Sequence, residues 1–162
     1  MSAPATAAAA EVIVVRDDKG NVQQEMPFVR GKLHGEMVVW ETGRVRARLR
    51  FVNGVQEGES LFFDDKSQVS MQLVYRGGSM NGTSVFCDLD GRLARKAVYV
   101  DGALHGVAVD YYPTGKVREI GEYKANVLDG QLLRYSEDGK LAERVCFRQG
   151  KPVPCPDEKG RR

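Results

Sequence analysis

Apolar side chains recur along this chain on two scales. Within short segments they fall at every second position, which is strand spacing. Over longer distances the same columns return every 23 or 24 residues. One column reads Phe28, Phe51, Tyr75, Tyr99, Tyr123, Phe147, and another reads Val22, Val45, Val69, Leu93, Val117, Leu141. A third reads Met26, Leu49, Leu73, Ala97, Gly121, Val145. Glycines keep the same ruler: Gly35, Gly58, Gly82, Gly106, Gly130 form one ladder, and Gly20, Gly43, Ser67, Gly91, Gly115, Gly139 a second. A third runs Gly31, Gly54, Gly78, Gly102, Asn126, Gly150. A fixed period of this length marks a tandem repeat.

Each unit therefore predicts a strand, a tight turn and a second strand. Leu89-Asp90-Gly91, Pro113-Thr114-Gly115 and Glu137-Asp138-Gly139 suit three-residue loops with glycine in the left-handed position. Thr42-Gly43 is one residue shorter and suits a two-residue turn. The single short step of the period falls there, where it leaves Trp40 opposite Val45, just as Cys87 stands opposite Leu93. Ser67 is the weak turn residue, lacking glycine's freedom at positive φ. Second turns, such as Asn53-Gly54 and Asp101-Gly102, link the units. A plain two-residue link would leave Val109 and Tyr111 on the face opposite Tyr99. A one-residue bulge at the following glycine is the expected remedy. The result is an all-β, elongated, curved, single-layered antiparallel sheet of about six hairpins and twelve strands. Unit boundaries fall near residues 11–34, 35–57, 58–81, 82–105, 106–129 and 130–153. Residues 1–10 read as a flexible tail. Residues 154–162 read as a tail whose prolines end the sheet.

The run Tyr111-Tyr112-Pro113-Thr114-Gly115-Lys116-Val117-Arg118-Glu119-Ile120-Gly121-Glu122-Tyr123 resembles the bacterial variant of the MORN repeat, and Tyr135-Ser136-Glu137-Asp138-Gly139-Lys140-Leu141 is similar. The resemblance implies hairpins in a long single-layered sheet and brings no catalytic residues. The chain departs from the pattern at Ser67, at Asn126 and in the first unit. There Glu11 holds the glycine position and Arg16 the aromatic one, as in a degenerate cap. Bacterial members are described as antitoxins or immunity proteins, and eukaryotic arrays are linked to scaffolding and membrane lipids.

The formal charge of +2 on 162 residues argues against generic nucleic-acid binding. No run approaches the ~20 apolar residues of a membrane span, and the alanine-rich start lacks the basic region of a secretory signal. Cytoplasm is the expected compartment, with the periplasm left open for a longer native N-terminus. Three cysteines, Cys87, Cys146 and Cys155, argue against a disulfide framework and read as packed or idle thiols. His34 and His105 occupy equivalent repeat positions, too far apart for one metal, and Asp17-Asp18 and Asp64-Asp65 lie in turns that account for them. No nucleophile, nucleotide or metal signature is present. We therefore expect no enzyme, cofactor or metal.

A partner protein is the expected ligand: a cognate toxin or effector, with a homodimer as a further association. Val39, Phe62, Val74, Phe86, Val98 and Ile120 are read as one apolar sheet face. Arg44, Arg46, Arg48 and Arg50 alternate along one strand and are expected beside Val39, as a stripe for acidic groups.

Overall fold

The alternation and the glycine reversals produce strands and tight turns without interruption. The computed structural model describes residues 10–156; the tail readings for 1–9 and 157–162 lie outside the described residues. The strands are β1 (Glu11–Arg16), β2 (Val22–Val29), β3 (Lys32–Leu33), β4 (Gly35–Glu41), β5 (Arg44–Val52), β6 (Val55–Gln56), β7 (Gly58–Phe63) and β8 (Val69–Arg76). They continue as β9 (Ser79–Met80), β10 (Gly82–Cys87), β11 (Leu93–Val100), β12 (Ala103–Tyr111), β13 (Val117–Lys124), β14 (Val127–Tyr135), β15 (Leu141–Arg148) and β16 (Lys151–Val153). All 16 form one antiparallel sheet in chain order, with β3, β6 and β9 folded back on β2, β5 and β8. The twelve longer strands are those of the six hairpins. The short ones arise because Gly35, Gly58 and Gly82 split the return strand after a link turn, whereas β12 and β14 run through Gly106 and Gly130.

The turns follow the sequence. Thr42 (φ 48°) and Gly43 (φ 76°) close a two-residue loop, and Trp40 stands opposite Val45. In the three-residue loop after β10, Asp88 N–H donates to the Arg92 carbonyl at 2.8 Å and Gly91 sits at φ 76°. Cys87 stands opposite Leu93 beyond a one-residue bulge. The same bulge precedes the turn in every hairpin, from Val15/Arg16 to Arg134/Tyr135. Ser67 does adopt the left-handed conformation, at φ 62°.

Link turns place both residues at positive φ, for example Asn53 (50°) and Gly54 (87°), or Ala125 (48°) and Asn126 (70°). Each after the first also bonds the strand that leaves the link before it: Gly54 N–H donates to Leu33 O (2.7 Å), Gly102 N–H to Met80 O (2.9 Å) and Gly150 N–H to Leu128 O (2.8 Å). Beyond each link the register slips at the glycine, but by two residues. Tyr99 pairs with Leu104, and Ala97 already pairs with Ala108. Tyr123/Leu128 and Gly121/Leu132 repeat this. A slip of two preserves facing, because side chains alternate with a period of two. The expected one-residue correction does not occur, and Val109 stays opposite in facing to Tyr99, paired with Lys96 and Ile120.

Every buried side chain among the described residues, Cys146 excepted, lies on one face: Ala47, Ser60, Leu73, Ser84, Ala97, Ala108 and Leu132. Five of these seven are Ala or Ser, small residues for a core. Ser60 and Ser84 are wholly covered in a single layer, so longer side chains of the same face must fold over them. Gly121 shows how: an added Cβ would stand 2.8 Å from the Tyr123 ring and 3.3 Å from Leu132 Cδ1.

The C-terminus corrects the cysteine reading. Cys146 and Cys155 form a disulfide, and only Cys87 is a free thiol. Val153, Pro152 and Lys151 pair with Cys146, Phe147 and Arg148, so the chain makes one more short strand before the bridge. Parity of the cysteine count could not reveal this, because the bridge is a local clasp on the last hairpin and not a framework.

Candidate protein-binding surface

Cross-strand neighbours share a face, and following them across the array gives continuous rows. One row on the buried face runs Val39, Ala47, Phe62, Met71, Phe86 and then Arg95, Asp110, Glu119, Arg134, Glu143. Its first half is apolar. Ala47 is buried, while Val39, Phe62, Met71 and Phe86 are half-buried. Its second half is an ion-pair ladder. Arg95 bonds Asp110 at 3.2 Å, and Arg134 bonds Glu119 at 2.8 Å and Glu143 at 2.6 Å. The two carboxylates hold the Arg134 guanidinium charged, raising its pKa, with the Glu119 hydrogen bond the larger cause.

The opposite face carries Val38, Arg48, Leu61, Gln72, Val85, Lys96, Val109 and Ile120 as its corresponding row. Apolar and long polar side chains alternate there as far as Val109, so no unbroken apolar strip forms along that stretch. Val74 pairs with Glu59 and Val98 with Thr83 on this same face.

The expected site residues therefore divide. Val39, Phe62 and Phe86 come together, joined by Ala47 and Met71. Val74, Val98 and Ile120 face the other way, as do Arg48, which pairs with Val38, and Arg50, which pairs with Glu36. The arginine stripe does not accompany Val39. The cause is register: the one-residue bulge beside each hairpin turn, Val39/Trp40 in this unit, sets Val39 opposite Ala47 and turns the β5 arginines to the other face, and the period alone does not reveal it. Arg46 sits at the bulge, bound to Glu41 at 2.6 Å and Asp65 at 2.5 Å, and Arg48 to Glu36 at 3.0 Å. These arginines already have carboxylates within the chain. The overlooked Ala47 and Met71 had a legible signal: their column reads Ala47, Met71, Arg95, Glu119, Glu143 and changes character where Val39, Phe62, Phe86, Asp110, Arg134 does.

The remaining chemical candidates are structural. Asp17 Oδ1 accepts the N–H groups of Lys19 and Asn21, and Asp64 Oδ1 those of Lys66 and Gln68. His34 Nδ1 accepts the Asn53 N–H at 3.3 Å, bracing a link turn. Burial, with the Asp88 charge behind it, pushes the Cys87 thiol up, which keeps it protonated and sluggish. No cluster of metal-ligating side chains occurs among the described residues, and no helix among them is long and apolar enough to cross a membrane.

Fold and surface together define a tandem β-hairpin repeat array with a half-apolar face that no second layer covers among the described residues. Two adjacent units, residues 104–125 and 128–149, match the family described as MORN repeat variant. The same hairpin, bulge and link geometry recurs in the units before them. No curated protein matches the chain. Among solved structures it is similar to a chain of a "GtfA/B complex bound to UDP and GlcNAc", at 17% identity with a TM-score of 0.29. The alignment covers 72% of this chain and 23% of that one, so this chain spans about a quarter of that chain's length.

Proposed function

We propose that this chain is a non-catalytic protein-binding module, and within that class an immunity protein or antitoxin that sequesters a toxin. The observation that carries the binding reading is the row Val39, Ala47, Phe62, Met71, Phe86. A folded repeat needs only one residue type per column, and the C-terminal units fill these columns with ion pairs. The N-terminal units place apolar side chains there instead, on a face with no second layer above it among the described residues. Burying even a few hundred Å² of such surface at about 25 cal/mol per Å² favours association. The toxin reading adds the resemblance of the repeat units to bacterial members with that role.

The test is co-expression with each product encoded beside this gene, scored by host growth and then by co-purification. Rescue from a toxic neighbour that elutes with this chain supports the reading. A folded Phe62→Asp or Phe86→Asp variant should then bind at least about 30-fold more weakly, a hot-spot effect of ~2 kcal/mol. Absence of any toxic or co-purifying neighbour rejects the toxin reading. Unchanged affinity in both variants moves the interface off this face.

A further inference from the structure

We propose that the outer edge of β1 is a self-association site, where two copies of this chain pair their β1 strands antiparallel about a two-fold axis midway between their Ile13 residues. This stands apart from the proposed function and uses a different surface.

A repeat array has two terminal strands, and here they are built differently. At the C-terminal end, Arg148 and Lys151 flank a two-residue turn and Pro152 pairs with Phe147. In an antiparallel ladder the pair next to such a turn is hydrogen-bonded and the following one is not. The backbone nitrogen of Pro152 therefore faces outward, on the side where another strand would dock, and it has no hydrogen to donate. Pro154 and Pro156 follow at alternate positions, and Cys155 is clasped to Cys146. This edge is blocked.

Among the described residues the N-terminal end is open. Val12 pairs with Pro27. Pro27 lacks an N–H, and its carbonyl accepts the His34 N–H at 2.9 Å on the far side. Val12 therefore turns its own N–H and C=O away from β2, and so does Val14 two residues on. Inside the array the equivalent position is filled: Val38, one repeat after Val14, pairs with Glu25 of the preceding strand. All six residues of β1 are exposed, including Val12 (57%), Ile13 (42%), Val14 (39%) and Val15 (41%). An open edge that is apolar on both faces is a template for another strand.

The geometry selects the occupant and the register. Outward-facing residues must oppose outward-facing residues. A two-fold pairing can therefore set Val12 against Val14 of the second copy and Ile13 against itself. Moving it two residues the other way would oppose Glu11 to Asp17, like charges. With the other end blocked, the second copy cannot recruit a third, so the assembly closes as a dimer. A six-residue edge buries less than the ~1,200 Å² of a standard interface, so the dimer is expected to be of micromolar affinity. The dimer would be one continuous sheet, with both Phe62-bearing faces on the same side.

The test is sedimentation velocity of the full chain from about 1 to about 200 μM, a range chosen for an interface of this size. A reversible monomer–dimer equilibrium is expected, and Val14→Pro should weaken it at least tenfold. That change deletes an outward donor and no hydrogen bond to β2. Independently of how well that variant folds, Ile13→Cys should cross-link copies under mild oxidation, because it faces itself across the axis, while the parent chain with Cys87 should not. A monomer at every concentration with no Ile13→Cys cross-link overturns the proposal. So does a dimer indifferent to both variants, or growth beyond the dimer.

Discussion

At the residue scale, the repeat shows which positions are chosen for fit and which are tolerated. Ser67 holds the left-handed turn position that glycine occupies at Gly20, Gly91, Gly115 and Gly139. A side chain costs about 1 kcal/mol there, so Ser67→Gly should raise stability by about that much in urea unfolding. The two buried serines make a second case. Ser60 Oγ accepts from the Gln56 amide at 3.0 Å, whereas Ser84 Oγ has no hydrogen-bond partner among the described residues. Both are fully covered, and the same column holds Ala108 and Leu132 one and two repeats on from Ser84. Ser84→Ala should be neutral or stabilising by up to ~1 kcal/mol. Ser60→Ala should destabilise by about 1 kcal/mol by stranding a part-buried amide. Equal effects from the two changes would sink this account.

At the element scale, the three-residue hairpin loops are held by side chains as well as by backbone conformation. Asp88 Oδ1 accepts from Asp90 N–H and Arg92 N–H, both at 2.9 Å. The Arg92 backbone bond is the main reason its carboxyl lies below its ordinary value of 3.8. Asp17 is lowered too, first by the Asn21 side chain. Folded-state values below the unfolded ones mean that the charged loops stabilise the fold at neutral pH. That contribution is complete above the carboxylate range and is lost as pH falls through and below 3.8. Asn keeps the acceptor and cannot titrate. A folded Asp17→Asn, Asp88→Asn double variant should therefore lose stability less steeply than the parent between about pH 5 and pH 3. Urea midpoints across that window measure it, and parallel curves would remove these loops as the source of acid sensitivity.

At the scale of the whole molecule, stability is local because each hairpin touches chiefly its neighbours. The Cys146–Cys155 bridge closes a loop of separation 9, worth about 2–3 kcal/mol in the chain-entropy account. Cys155→Ser should speed hydrogen exchange in β15 and β16 while leaving β4 and β5 protected. Uniform loosening would mean that the array unfolds as one unit.

The sequence by itself determined the period, the hairpins, the turn types and the pairing of Trp40 with Val45. These are local: φ preferences, loop lengths and two-residue alternation act within a few positions. Only the tertiary structure decided which columns share a face. Facing across a link depends on how many residues the glycine absorbs, and a slip of one or of two leaves the same 24-residue period. Facing within a hairpin depends in turn on the one-residue bulge beside its turn, and that bulge is why Val39, Phe62 and Phe86 parted from Val74, Val98, Ile120 and the β5 arginines. Tertiary structure also decided the Cys146–Cys155 clasp, because it depends on the terminal segment turning back along β15, and residue counts carry no such distance.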